Sequence, residues 1–173
     1  FMKVIFLDRD GVVNEEVGYL HKSTDFKFID GLLDACQYFM SIGYKLIIVT
    51  NQSGIARGYY REEDFHMLNE WMLVQFDNQC VEILDVFFCP HGPESLCNCR
   101  KPKPGMFLDA YKKYDIDMHN SWVIGDKETD IEAGLAAGVT NSILIKSRHS
   151  IDEINSKAVF LVKSIKESIQ IIR

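Results

Sequence analysis

The sequence predicts an α/β fold, a three-layer α/β/α sandwich around a mostly parallel, Rossmann-like sheet. Two observations carry this. Short apolar runs alternate with segments of helical period, the pattern of successive βα units. Gly and acidic residues follow the first and fourth of those runs, as at the carboxyl ends of strands buried on both faces. The chain has 173 residues, 47% of them hydrophobic, with 4 Pro and no low-complexity tract. These values suit one compact domain over residues 1–173.

Strands are predicted at residues 4–7, 45–50, 84–88, 122–124 and 142–145, with a weaker sixth at 159–162. Leu32, Leu33, Cys36, Phe39 and Met40 recur at helical spacing, and Gly43 supplies a left-handed stop before the second strand. Phe65, Leu68, Met72 and Phe76 form the next helical stripe. Pro104 suits the first turn of a helix running to about residue 114. Ser150-x-x-Glu153 and Ser164-x-x-Glu167 have the form of capping boxes. Trp71 and Trp122 are read as packing residues. Residues 11–30 make a long βα connection, of the kind that forms an active-site rim.

The formal net charge is −6, from 19 basic and 25 acidic residues. No Lys/Arg cluster covers a face, so nucleic-acid binding is not expected. The apolar stretches are too short to span a bilayer, and the first run stops at Asp8 unlike a signal peptide; cytoplasmic residence and no membrane partner are expected. A few cations gathered in one cleft still suit an anionic substrate.

The chemistry starts at Asp8-Arg9-Asp10-Gly11. Two acids so close repel unless a cation or a shared proton relieves them, which suits phosphoryl transfer with a divalent ion. A calcium loop is excluded, because Val13 and Tyr19 stand where Gly and Glu are required. Thr50 ends the second strand before Asn51-Gln52-Ser53-Gly54, placing a hydroxyl and turn N–H groups level with Asp8. Asp126 follows the fourth strand in Gly125-Asp126-Lys127-Glu128-Thr129-Asp130. Mg²⁺ takes oxygen ligands and few protein carboxylates. Asp8 and Asp126 supply two, Asp10 offers its backbone carbonyl, and Asp130 either orients the set or caps a helix.

Cys89, His91, Cys97 and Cys99 have the composition of a closed, structural Cys₃His zinc site. Cys36 and Cys80 stand apart as ordinary thiols. Directly after the metal loop come Arg100 and Lys101, a fork for phosphate or sugar oxygens and a point charge for the transferring group, in a stretch stiffened by Pro102 and Pro104.

The ordered set Asp8-Arg-Asp-Gly, Thr50, Lys101 and Gly125-Asp126 resembles the haloacid-dehalogenase-like phosphatases over nearly the whole chain. Gly18-Tyr19, the run from Thr50 to Gly58, Cys89-Pro-His91, the run from Cys97 to Met106 and Gly125-Asp-Lys127 are similar to its heptose-bisphosphate phosphatase family. The resemblance implies a capless fold, Asp8 as nucleophile, Asp10 as general acid/base, and Asp8, Asp10 and Asp126 as the Mg²⁺ set. It assigns Thr50 and Lys101 to phosphoryl stabilisation. Glu16, Val17, Gly18, Tyr19, Asn51, Gln52, Ser53, Arg100 and Lys127 fall to the substrate. Also implied are a small phosphorylated sugar as substrate, a monomer, and a place in nucleotide-activated heptose synthesis for surface glycans. Val12 departs from the usual Thr, and the five residues between His91 and Cys97 match the related histidinol-phosphate phosphatases. A phospho-accepting receiver domain is the rival of another class, although its accepting Asp ends a third strand.

Overall fold

The computed structural model describes residues 1–147, 149 and 151–173. Six strands form one sheet: β1 (Lys3–Leu7), β2 (Tyr44–Asn51), β3 (Ile83–Cys89), β4 (Trp122–Gly125), β5 (Asn141–Ile145) and β6 (Phe160–Val162). All pair in parallel, in the order β3-β2-β1-β4-β5-β6. The order reverses beside β1, where neighbouring crossovers leave the sheet on opposite faces and open a crevice at the strands' carboxyl ends.

Strand alternation feeds two cores. Ile5, Leu7, Leu46, Ile48, Ile124 and Ile143 pack on one side; Val4, Phe6, Ile47, Val49, Val123 and Leu144 pack on the other. Such strands read as continuous apolar runs because both faces are covered. Helices α1 (Leu32–Ser41) and α2 (Glu62–Asn78) close the first side with Leu32, Phe39, Met72 and Phe76. Helices α3 (Gly105–Lys113) and α4 (Glu128–Ala136) close the second with Met106, Phe107 and Ile131. A short C-terminal helix, α5 (Ser168–Ile171), follows a 3-10 turn at Ile165–Glu167.

The expected strands are all present, most one residue longer at an end. Gly43 has φ 98°, the left-handed stop that ends α1. Ser164 and Glu167 form their capping box, on the 3-10 turn. Ser150-x-x-Glu153 lies outside the described residues. Asp130 is not the N-cap of α4. Lys127 holds that position and Asp130 stands three residues on, its Oδ2 accepting the Lys127 N–H at 3.2 Å.

Residues 11–30 are a folded rim rather than a slack connection. Glu15 N–H donates to Lys27 at 2.9 Å, Ile29 N–H to Val13 at 3.0 Å, and a 3-10 turn spans Ser23–Asp25. Among the described residues, no helix is long and apolar enough to cross a membrane.

Candidate active site

Register brings the first acids together. Leu7 of β1 pairs with Ile124 of β4, so Asp8 and Asp126 leave adjacent strands side by side, and Asp8 N–H donates to the Ile124 carbonyl at 3.1 Å. Gly11, at φ 93°, lets the turn after β1 press on Asp126: a Cβ there would sit 2.1 Å from Asp126 Oδ2. Oxygens of Asp8, Asp126 and Asp130 lie within 4.8 Å of one another.

Lys101 reaches into this acid cluster and is almost wholly buried. Its Nζ stands 2.9 Å from Asp8 Oδ1, 2.7 Å from Asp130 Oδ1 and 2.8 Å from the Val49 carbonyl, which occupies its three donors. Asn51, at the end of β2, clamps the lysine's backbone through both its ends: Oδ1 accepts from Lys101 N–H at 3.1 Å and Nδ2 donates to Lys101 O at 3.3 Å. Burial works to lower the ammonium pKa, but Asp130 and Asp8 outweigh it and hold it above its ordinary value. Burial, followed by repulsion from Asp130, pushes Asp8 well above the usual carboxylate range and Asp126 up to about 6.

Among the described residues, Asp126 Oδ1 is buried without a hydrogen-bond partner. An orphaned carboxylate oxygen beside two more acids is costly unless a cation meets it, so the donor set fits a hard divalent ion such as Mg²⁺. Asp130 spends one oxygen on Lys101 and the other on the N–H groups of Asp126 and Lys127, so it braces the cluster.

Above the acids opens a cavity of about 390 Å³ lined by Asp8, Asp10, Gln52, Arg57, Arg100 and Lys101, among others. Glu16, Gly18, Tyr19, Asn51, Ser53 and Lys127 also line it. Val17 does not: its side chain turns to solvent. Thr50 is buried behind the wall, its hydroxyl accepting from Gln52 Nε2 at 2.8 Å. Sequence reasoning missed Tyr60 and Thr129, which also line the cavity. It missed His149 as well, whose Nε2 lies 2.8 Å from Glu16 and 3.6 Å from Asp126. Thr129 lay within the quoted Gly125–Asp130 run, but Tyr60 and His149 follow loop residues with no motif to flag them.

Cys89, at the end of β3, gathers with His91, Cys97 and Cys99, one ligand atom of each within 4.8 Å of the others. His91 Nδ1 is 3.5 Å from Cys89 Sγ and 3.4 Å from Cys99 Sγ. The thiols differ: burial pushes Cys99 up to about 12, whereas at Cys97 the opposing effect of burial is overcome, chiefly by the Ser95 hydroxyl, bringing it down to about 6. The knot leads directly into Arg100 and Lys101.

A parallel sheet with acids after β1 and β4, a hydroxyl at the end of β2 and a buried lysine between them defines a haloacid-dehalogenase-like phosphohydrolase. The HAD-hydrolase-like family model matches residues 98–168. Over 165 residues the chain is 44% identical to a D-glycero-α-D-manno-heptose-1,7-bisphosphate 7-phosphatase of Photorhabdus laumondii, covering 91% of this chain and 90% of that one. It is 43% identical over 178 residues to the β-anomer enzyme of Pasteurella multocida, covering 99% and 97%. The D,D-heptose 1,7-bisphosphate phosphatase from B. bronchiseptica, solved with magnesium and phosphate, superposes with a TM-score of 0.84 at 29% identity over 98% of this chain and 97% of that one. The chain belongs to the D-glycero-D-manno-heptose-1,7-bisphosphate 7-phosphatase family.

Proposed function

We propose that this chain removes the 7-phosphate of D-glycero-D-manno-heptose 1,7-bisphosphate through an aspartyl-phosphate on Asp8. The observation that carries the reading is Asp8 itself: a carboxylate on the cavity wall, 2.9 Å from the buried Lys101 ammonium and packed with two further acids. Asp8 attacks phosphorus in line with the departing sugar oxygen. Lys101, exchanging its bond to Asp8 for one to a phosphoryl oxygen as that carboxylate turns to phosphorus, and the Thr50 hydroxyl behind the wall are the donors for the charge that develops. Asp8, Asp126 and the Asp10 carbonyl would hold Mg²⁺, which would supply the remaining neutralising charge. Asp10 gives its proton to the leaving oxygen, then takes one from the water that hydrolyses the ester on Asp8, dividing one hard step into two.

The cavity, at about 390 Å³, has the size for a small phosphorylated sugar. Arg100 and Arg57 line it and are the cations for the phosphate that stays. Cys89, His91, Cys97 and Cys99 would hold a zinc ion, which would pin the segment that carries Arg100 and Lys101. On this reading the chain acts as a cytoplasmic monomer supplying heptose for surface glycans; its relatives include enzymes named for both anomers.

Phosphate release from both anomers of the bisphosphate and from histidinol phosphate, with and without Mg²⁺, tests this. Mg²⁺-dependent release from a heptose bisphosphate, leaving heptose 1-phosphate, is expected. Preference for histidinol phosphate, or release only of the 1-phosphate, overturns it.

A further inference from the structure

A carboxyl that lends and recovers a proton must be held in one place relative to the ester. Among the described residues, three side chains hold Asp10. Arg9 Nη2 lies 3.1 Å from Oδ1 and 3.3 Å from Oδ2, and Asn14 Nδ2 lies 3.0 Å from Oδ1; both belong to the turn that carries Asp10. Gln52 comes from beyond the end of β2, its Nε2 3.2 Å from Asp10 Oδ2 and 2.8 Å from Thr50 Oγ1.

The two ends of the Gln52 amide are chemically opposite, one donating and one accepting. When Asp10 is ionised, ready to take the proton of the attacking water, only the NH₂ end satisfies its acceptor oxygens. With the amide reversed, acceptor would face acceptor. The side chain is buried, and its backbone N–H is tied to the Cys89 carbonyl at 2.7 Å, so the backbone fixes its place but not its sense. The far side reinforces that sense, because there the Tyr60 hydroxyl donates to Gln52 Oε1 and satisfies the end of the amide that Asp10 cannot.

Tyr60 is built in for this contact. Its ring stacks on His21 at 5.1 Å between centroids with an 11° tilt. It passes so close to Gly54 that a Cβ there would sit 2.2 Å from Tyr60 Cε1, and Tyr59 N–H closes the loop onto Gly54 O at 2.9 Å. Burial pushes the phenol up to about 12, so it remains a donor at neutral pH.

We propose that Tyr60 is a positioning residue for phosphoryl transfer: its hydroxyl locks the Gln52 amide so that the NH₂ end bridges Asp10 and Thr50. One tyrosine thereby sets the proton carrier and the phosphate-binding hydroxyl in a common register. Thr50 Oγ1, accepting from Gln52, keeps its own hydrogen out of that bond; it donates weakly to the Asn51 carbonyl at 3.4 Å, a contact it can exchange for a phosphoryl oxygen. This role rests on the phosphatase reading above.

The test is a double-mutant cycle on steady-state phosphate release with Tyr60→Phe, Gln52→Ala and the pair. Tyr60→Phe keeps the ring and its stack and removes only the donor, and a thermal melt checks the fold. Each single change is expected to lower kcat by roughly 3- to 10-fold, the worth of one side-chain hydrogen bond, with KM little moved. The double variant is expected to be no slower than Gln52→Ala alone, because Tyr60 has no amide left to orient. Losses that multiply overturn the proposal, since Tyr60 would then act by packing or by touching the sugar. An unchanged kcat in Tyr60→Phe overturns it too. Gln52→Glu gives an answer even if Tyr60→Phe does not fold: both its ends accept, so it is expected to fall below Gln52→Ala, and wild-type turnover would refute the role. If the wild type itself releases no phosphate from any monoester, the phosphatase reading fails instead.

Discussion

Replacing Lys101 by Met removes one positive charge while nearly conserving volume, and it tests the electrostatic frame of the site without any substrate. In the folded protein the ammonium lies between Asp8 and Asp130 at 2.9 and 2.7 Å, with Asp126 beside them. Among the described residues, the half-buried Asp8 and the buried Asp126 and Asp130 then have no Lys or Arg ion-pair partner. Breaking a buried pair so that a charge is left uncompensated costs about 3–5 kcal/mol, out of a total stability on the order of 5–15 kcal/mol. With a urea slope of about 1–3 kcal/mol per molar, the unfolding midpoint falls by roughly 1–5 M in EDTA at pH 7.5. The pH dependence has a definite sign. Asp8 and Asp126 hold their protons more tightly folded than unfolded, Asp126 with a value of about 6. Stability from such groups is complete below the unfolded value of about 4 and is lost as pH rises through the folded one. Losing Lys101 raises Asp8 further, so the deficit of the variant is larger at pH 7.5 than at pH 5, and Mg²⁺, held more tightly by the more negative site of the variant, shrinks it. Urea titrations at the two pH values, with EDTA or Mg²⁺, measure all of this. A midpoint within about 0.5 M of wild type at pH 7.5, or a deficit that grows on acidification, refutes the reasoning.

Asp8→Asn is expected to abolish turnover while leaving the far-ultraviolet dichroism of the wild type, and appreciable residual activity would rule out Asp8 as nucleophile. Metal analysis is expected to find one zinc per chain, lost in Cys97→Ser together with resistance of the segment 89–104 to limited proteolysis; full activity in a zinc-free chain would contradict this. At Asp85, the effect of burial is outweighed by Lys113 at 2.7 Å, Tyr114 at 2.8 Å and the Val86 N–H, which hold the carboxyl below its ordinary range. Its contribution is present above the unfolded pKa and disappears as pH falls through the lower folded one. Asp85→Asn is therefore expected to melt below wild type at pH 7, with the gap closing below about pH 4; a constant gap would show that the charge is not responsible.

The strands and the acids at their ends were legible in the sequence because both are local. A strand buried on both faces must be apolar throughout, and the residue after it must meet the crevice, so Val4–Leu7 with Asp8, and Trp122–Gly125 with Asp126, announce themselves. The close spacing of Cys89, His91, Cys97 and Cys99 is equally local. Asp130 was partly legible: its place in the first turn of α4 follows from spacing, but its bond to Lys101 spans 29 residues of sequence.

What only tertiary structure decided is which groups meet across the crevice and in which sense they bond. Asn51 is a plausible substrate ligand by position, yet folding commits its amide to Lys101. Tyr60 is an unremarkable aromatic in the sequence, yet the loop through Gly54 returns it beneath Gln52. His149 reaches Glu16 across 133 residues. The sequence by itself determined the sheet, the acids and the thiol cluster, since hydrophobic periodicity and short-range spacing are written along the chain. The hydrogen-bond partners of the buried polar groups were decided in three dimensions, because each depends on distant backbone closing to within about 3 Å, a geometry to which no single segment holds the information.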